Sequence, residues 1–316
     1  MVHTIISQKQ AMIDIQNSKK IVIITDLEPD DFLAIVLLFL SGMITGEMHF
    51  VVSAWQNVEH KCRCFRKFLQ DSFPKYNNCS IYSGEPNKHN YILPLDFHSQ
   101  EEFSSYREFD PSDSLIINLA PIRELMFYHK HDPNIFKNCE LAIYGSFNIR
   151  SVLSEKKESP ESVVSMFTSF SRVLLYESYW ATGTNSSLAD ANILNIIRTK
   201  YPYLLDIIIW WNDSMKDECL QNCQNLSPDS ASYQRNKMIL DKIEAEPLQF
   251  VNADTGLAAI LINPELQKYS VQGSITFDPT TFYTLVNEDI IGKITIIKCS
   301  DDSLLLEEIE TFKNTF

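Results

Sequence analysis

Asp26, Glu28, Asp30 and Asp31 put four carboxylates into six residues, directly after the strand-like run Lys20-Ile21-Val22-Ile23-Ile24-Thr25. Residues 32–40, which follow at once, are apolar throughout. So much negative charge at the mouth of a buried strand costs free energy unless a cation neutralises it. Several oxygen ligands in one place suit a hard divalent ion, and Ca²⁺ is the leading expectation. Part of the cluster has a simpler use. Asp30 or Asp31 can cap a helix beginning near Phe32 and interact well with its dipole. That explanation does not reach Asp26 and Glu28 in the same turn. A second acid repeats the design in Phe250-Val251-Asn252-Ala253-Asp254-Thr255-Gly256, where Asp254 opens another apolar run. Alone it reads as an N-cap; beside the first loop it would complete a metal cage.

The elements that must position these acids alternate along the chain. Strands are expected at 21–25, 48–54, 80–83, 114–118, 140–144, 173–176, 206–211 and 293–299. Helices are expected at 31–41, 58–70, 121–128, 187–198, 232–244 and 255–262. Strand and helix in turn predict an α/β fold, a single domain whose mostly parallel central sheet is flanked by helices. Ligands in such sheets bind at the carboxyl ends of strands, where residues 26–31 fall. The polar stretches 87–113 and 154–161 read as surface excursions. Residues 1–19 read as an N-terminal extension, and 20–316 as the domain.

The bulk properties narrow the partners. With 316 residues, 45% of them hydrophobic, the chain can bury a large core. A formal net charge of −14 repels nucleic acid and anionic membrane, so neither is expected as a partner. No run approaches the ~20 apolar residues of a membrane span, and residues 1–20 lack a secretory signal, which predicts a cytoplasmic protein. Seven scattered cysteines lack zinc-site spacing and read as reduced thiols.

In the order of its motifs the chain resembles the nucleoside hydrolase family, the inosine–uridine-preferring N-ribohydrolases. The family opens with D-x-D-P-G-x-D-D, and Ile24-Thr25-Asp26-Leu27-Glu28-Pro29-Asp30-Asp31 falls on that motif without a gap. Val52-Ser53-Ala54-Trp55-Gln56-Asn57-Val58 resembles the second strand and its G-N-V turn. Ser80-Ile81-Tyr82-Ser83-Gly84 is similar to the I-P-V-Y-x-G strand. Leu119-Ala120-Pro121-Ile122-Arg123 sits where the family has a G-P-L-T-N-like turn, and Asn185 to Ile193 looks like its N-x-x-x-x-A-E-F-N-I segment. Asp254 matches the Asp of the closing H-D-P-x-A.

The resemblance implies a nucleoside-hydrolase-like fold and Ca²⁺-dependent cleavage of the N-glycosidic bond of a nucleoside or related ribosyl compound. Asp26, Asp31, Asp254 and the Leu119 carbonyl would hold Ca²⁺, with Asp26 also activating a metal-bound water. Asp30, Asn57, Asn185, Asp190 and Asn192 would bind the sugar. The partner is then a small ribosyl molecule, and a homo-oligomer stays open.

Four positions depart from the pattern. Ile24 replaces the first Asp, Glu28 a Gly, Ala253 a His that protonates the leaving base, and Asp190 a Glu. They keep a second reading in play, a catalytically weak or inactive relative that binds metal and a ribosyl ligand without turning it over. The distance from Gly145 to Asn185 also suggests an insertion around 154–170. An aspartyl-nucleophile phosphatase is disfavoured, because Glu28 stands where that chemistry wants a second Asp.

Overall fold

Strand β1 (Lys20–Thr25) has no polar face. Ile21 and Ile23 pack into one core cluster, Val22 and Ile24 into another, and all four are fully buried. Such a strand needs helices on both sides. The computed structural model supplies them; it describes residues 13–54, 58–86, 101–145, 148–149, 158–177, 198–245, 254–277, 284–287, 294–298, 307, 310–311 and 314–315.

Eight further strands complete the sheet among the described residues: β2 (Glu47–Ala54), β3 (Ser80–Pro86), β4 (Leu115–Asn118), β5 (Glu140–Tyr144), β6 (Arg172–Glu177), β7 (Ser270–Phe277), β8 (Thr284–Asn287) and β9 (Ile294–Lys298). Their spatial order is β3-β2-β1-β4-β5-β6-β9-β7-β8. From β3 to β9 every pairing is parallel, while β7 runs antiparallel to β9 and to β8. The expected mostly parallel sheet is present in one domain.

Helices α1 (Pro29–Leu40), α2 (Val58–Ser72), α5 (Pro202–Asn225) and α7 (Asp254–Ile262) share a face with Ile21 and Ile23 through Phe32, Phe65, Phe68, Ile207 and Leu257. Helices α3 (Arg123–His131) and α4 (Pro160–Ser169) cover the other face through Leu125, Met126, Val163 and Phe167. Helix α6 (Ala231–Ala245) pairs with α5. Every residue of α1 from Pro29 to Phe39 is buried, and α7 is buried from Asp254 to Leu261. A helix apolar on all sides must be covered on all sides. Here α1 and α7 cover each other, with α5 also against α1.

Two sequence expectations change. The run at 206–211 is part of helix α5, not a strand. Leu204, Ile207 and Ile208 are buried while Asp206 and Ile209 are exposed, the spacing of one helical face, and a short apolar run does not separate the two cases. The stretch read as an insertion at 154–170 carries α4, capped by Ser159, between parallel β5 and β6. Strands β7 and β8 lie where the sequence pattern predicts none. In the stretch read as an N-terminal extension, Ile13 and Ile15 lie in the core. The Gln267 side chain accepts from Ile13 N at 3.2 Å and donates to Ile13 O at 3.0 Å.

Registers Thr25↔Val52, Ile24↔Asn118 and Tyr144↔Tyr176 bring the carboxyl ends of β1, β2, β4, β5 and β6 to one edge. Strand order reverses between β1 and β4, the position where open α/β sheets leave a crevice. Among the described residues no helix is long and apolar enough to cross a membrane, and all six described cysteines are free.

Candidate metal centre

The β1–α1 turn is built around one side chain. Asp31 Oδ2 accepts from Thr25 Oγ1 at 2.8 Å, from Asp26 N at 3.0 Å and from Glu28 N at 3.3 Å. Thr25 Oγ1 also accepts from Leu27 N at 3.0 Å. These bonds hold Leu27 at φ 58°, a left-handed conformation that costs a non-glycine residue about 1 kcal/mol or more. Glu28, where the resembling motif has Gly, sits at φ −72° in ordinary extended backbone. The left-handed residue of this turn is therefore Leu27, one position before the place of the motif's Gly.

With Oδ2 occupied, Asp31 presents Oδ1, which is buried and has no hydrogen-bond partner. Asp254, first residue of α7, carries a second such oxygen, its Oδ1. Asp30 joins them, so that carboxylate oxygens of Asp30, Asp31 and Asp254 lie within 4.8 Å of one another. All three are at most 9% exposed. They come from the first turns of two helices, whose N-terminal dipoles offset part of the negative charge. Two buried oxygens without donors beside a third carboxylate fit a divalent cation, and all-oxygen donors favour a hard one.

The electrostatics point the same way. Burial pushes Asp254 well above the usual carboxylate range, and the charges of Asp30, Asp31 and Asp26 add to it. Burial also raises Asp31. Half-buried Glu28 is raised by burial and then by Asp26, Asp30 and Asp31, with Lys61 alone pulling it back. A bound cation reverses these penalties.

Among the residues singled out from sequence, Asp30, Asp31 and Asp254 converge. Asp26 is buried in the same turn; its charge raises Glu28 and Asp254, its side-chain hydrogen bond lowers Asp31, and it is not part of the set within 4.8 Å. Leu119 follows β4 and donates its N–H to Ile24 O at 2.8 Å. Its carbonyl accepts from Asn148 Nδ2 at 2.9 Å, which uses one of its two lone pairs. Asn57, Asn185, Asp190 and Asn192 lie outside the described residues, as does Ala253.

Three residues near the site were not found by sequence reasoning. Thr25 is fully buried and anchors Asp31. Asn148 is 4% exposed and fixes the Leu119 carbonyl. Lys61, on α2, is 5% exposed and donates to Asp26 O at 2.5 Å. Only Lys61 left a signal, since a lysine four residues before Phe65 and seven before Phe68 occupies the buried stripe of its helix. A Cβ on Gly256 would meet the Tyr176 hydroxyl at 2.4 Å. Gly256 thus lets α7 approach β6, and that approach sets where Asp254 stands.

No protein-family model matches this chain, and no curated protein matches it by sequence. Solved structures match it in shape. A plant nucleoside hydrolase superposes with a TM-score of 0.55 over 93% of this chain and 98% of its own, at 14% identity. A purine-preferring ribonucleoside hydrolase from Gardnerella vaginalis does so with a TM-score of 0.56 over 94% and 99%, at 13% identity. The type III effector protein XopQ, solved in complex with adenosine diphosphate ribose, gives 0.55 over 94% and 93%, at 8% identity. The likeness at these identities is one of fold. This chain has the nucleoside hydrolase fold.

Proposed function

We propose that this chain is a divalent-metal-dependent hydrolase of the N-glycosidic bond in a small ribosyl compound, with Ca²⁺ as its metal. One observation carries the reading: on the strand-end edge of a nucleoside hydrolase fold, Asp30, Asp31 and Asp254 converge, and Asp31 and Asp254 each bury an Oδ1 that no donor from outside the acid cluster reaches. Those three residues would hold the ion, with the Leu119 carbonyl and Asp26 as further donors. A bound divalent cation lowers the pKa of water and anchors a sugar diol.

The chain's own residues supply the rest. Asp26, held in the turn through its backbone N–H on Asp31 and its carbonyl on Lys61, receives the proton of the attacking water. The transition state resembles an oxocarbenium ion, so fixed carboxylates beside the sugar stabilise the positive charge that develops there. Asn57, Asn185, Asp190 and Asn192 are assigned to the sugar hydroxyls by resemblance. Pre-forming the turn keeps Asp26 from spending binding energy on reorganisation.

A second reading is that the site binds metal and a ribosyl ligand without turnover. It draws support from the position of Asp26 outside the converging set and from the Asn148 bond to the Leu119 carbonyl. Base release from purine, pyrimidine and nicotinamide ribosides, measured with Ca²⁺ and with chelator, separates the two. Hydrolysis requires Ca²⁺-dependent release, lowered about 10²- to 10⁴-fold by Asp26→Asn in a protein that still folds. Tight ligand binding with no release leaves the second reading standing.

A further inference from the structure

Lys61 is absent from the residues the resemblance assigns, and among the described residues it is the one lysine or arginine that is buried. Its Nζ donates to Asp26 O at 2.5 Å. Asp26 N in turn donates to Asp31 Oδ2 at 3.0 Å, so the ammonium stands within roughly 9 Å of that carboxylate, one residue of backbone away. It holds Asp26 through its carbonyl and acts on the charge of Glu28, which itself lies among the charges of Asp26, Asp30 and Asp31. A lysine is costly to bury, and its place on the α2 stripe would otherwise suit an apolar residue. A single hydrogen bond to a carbonyl needs no full charge; a polar amide would serve. The charge itself is what the surroundings can use.

We infer that Lys61 is a resident counter-cation of the acidic mouth: it offsets part of the negative charge in the metal-free protein and opposes an incoming divalent ion, making the metal exchangeable. The inference rests on the metal-site reading and deepens it, since it concerns how tightly the site holds an ion. A positive charge at this range repels a divalent ion by an amount worth about tenfold in affinity or more, at the effective dielectric of a partly buried site.

The test is calorimetric titration of the metal-stripped protein with CaCl₂, in wild type, Lys61→Arg, Lys61→Gln and Lys61→Met. Arginine keeps charge and donor; glutamine keeps only the donor; methionine keeps neither. Lys61→Gln and Lys61→Met should bind Ca²⁺ about tenfold tighter or better, while Lys61→Arg stays within about threefold of wild type. Equal or weaker binding by folded Lys61→Gln overturns the inference and reduces Lys61 to a strut for the turn. If Lys61→Met does not fold, Lys61→Gln decides. If no variant and no wild type binds Ca²⁺, the metal reading is lost, and thermal midpoints of the metal-free proteins judge the counter-cation. Lys61→Gln must then melt below Lys61→Arg and recover with added NaCl, because salt screens the uncompensated acids. Equal midpoints at all salt concentrations overturn the inference on that arm as well.

Discussion

The acidic N-termini of α1 and α7 deliver carboxylates to one place by different means. The α1 end is locally made. Asp31 Oδ2 gathers Thr25, Asp26 and Glu28 from within six residues, so its geometry forms with the turn itself. At the α7 end the described residues show packing instead. Asp254 depends on α7 lying along α1 and on Gly256 admitting Tyr176. One half of the site is therefore set by nearby sequence and the other by packing, and the two should fail differently.

The largest effect on stability is expected where the local half is broken. Asp31→Ala leaves three donors in a buried turn without their acceptor and should cost about 2–4 kcal/mol, read by chemical denaturation of the metal-free protein. It should also abolish any stabilisation by Ca²⁺. Gly256→Ala attacks the packed half. The new Cβ would lie 2.4–2.8 Å from the Tyr176 hydroxyl and ring, so α7 or Tyr176 must shift, at a cost of about 1–3 kcal/mol. Ca²⁺ affinity should fall with it, while the Thr25–Asp31 turn, monitored by amide exchange at Asp26 and Glu28, keeps its protection. Loss of that protection would mean the two halves are not independent.

Asp254→Asn is a smaller perturbation with the opposite sign. Because burial holds the Asp254 pKa well up, the folded state binds more protons than the unfolded one above about pH 4. Metal-free stability then declines as pH rises through that window. The substitution should flatten the decline and leave the metal-free protein more stable at pH 7, while removing the Ca²⁺ response. A fall in metal-free stability would contradict this account of Asp254.

The smallest effect lies away from both acidic helix ends. Burial lowers His129, whose Nε2 lies 3.2 Å from Ser165 Oγ between α3 and α4. The unfolded state takes up the proton first as pH falls, so stability is lost below about pH 6.5. His129→Gln should blunt that acid loss and leave Ca²⁺ binding unchanged in a titration.

The same division explains what was legible in the sequence. The α1 acids could be found because four carboxylates after an apolar strand are anomalous within one turn, and Asp254 because another apolar helix follows it. Strand β1 and helix α1 were readable for the same reason, being apolar on every side. The run at 206–211 misled because three to six apolar residues fit a buried strand or one face of a long helix equally well. Strands β7 and β8 escaped because Ser270–Phe277 mixes Ser, Gln and Gly into its alternation, a weak signal for an antiparallel edge. Thr25 and Asn148 are ordinary polar residues until a neighbour distant in sequence or in the turn gives them a partner. The convergence of Asp30, Asp31 and Asp254 needed the packing of α1 on α7, which no local pattern encodes.

The left-handed Leu27 has a consequence for how this turn can change. Proline is locked near φ −65°, so Leu27→Pro cannot be accepted while the turn keeps its present shape. Glycine at position 28 alone does not help, because Glu28 already has an unstrained backbone. Asp-Leu-Glu is therefore barred from the proline of the resembling motif for as long as the backbone keeps this shape, an epistatic constraint set by the turn itself.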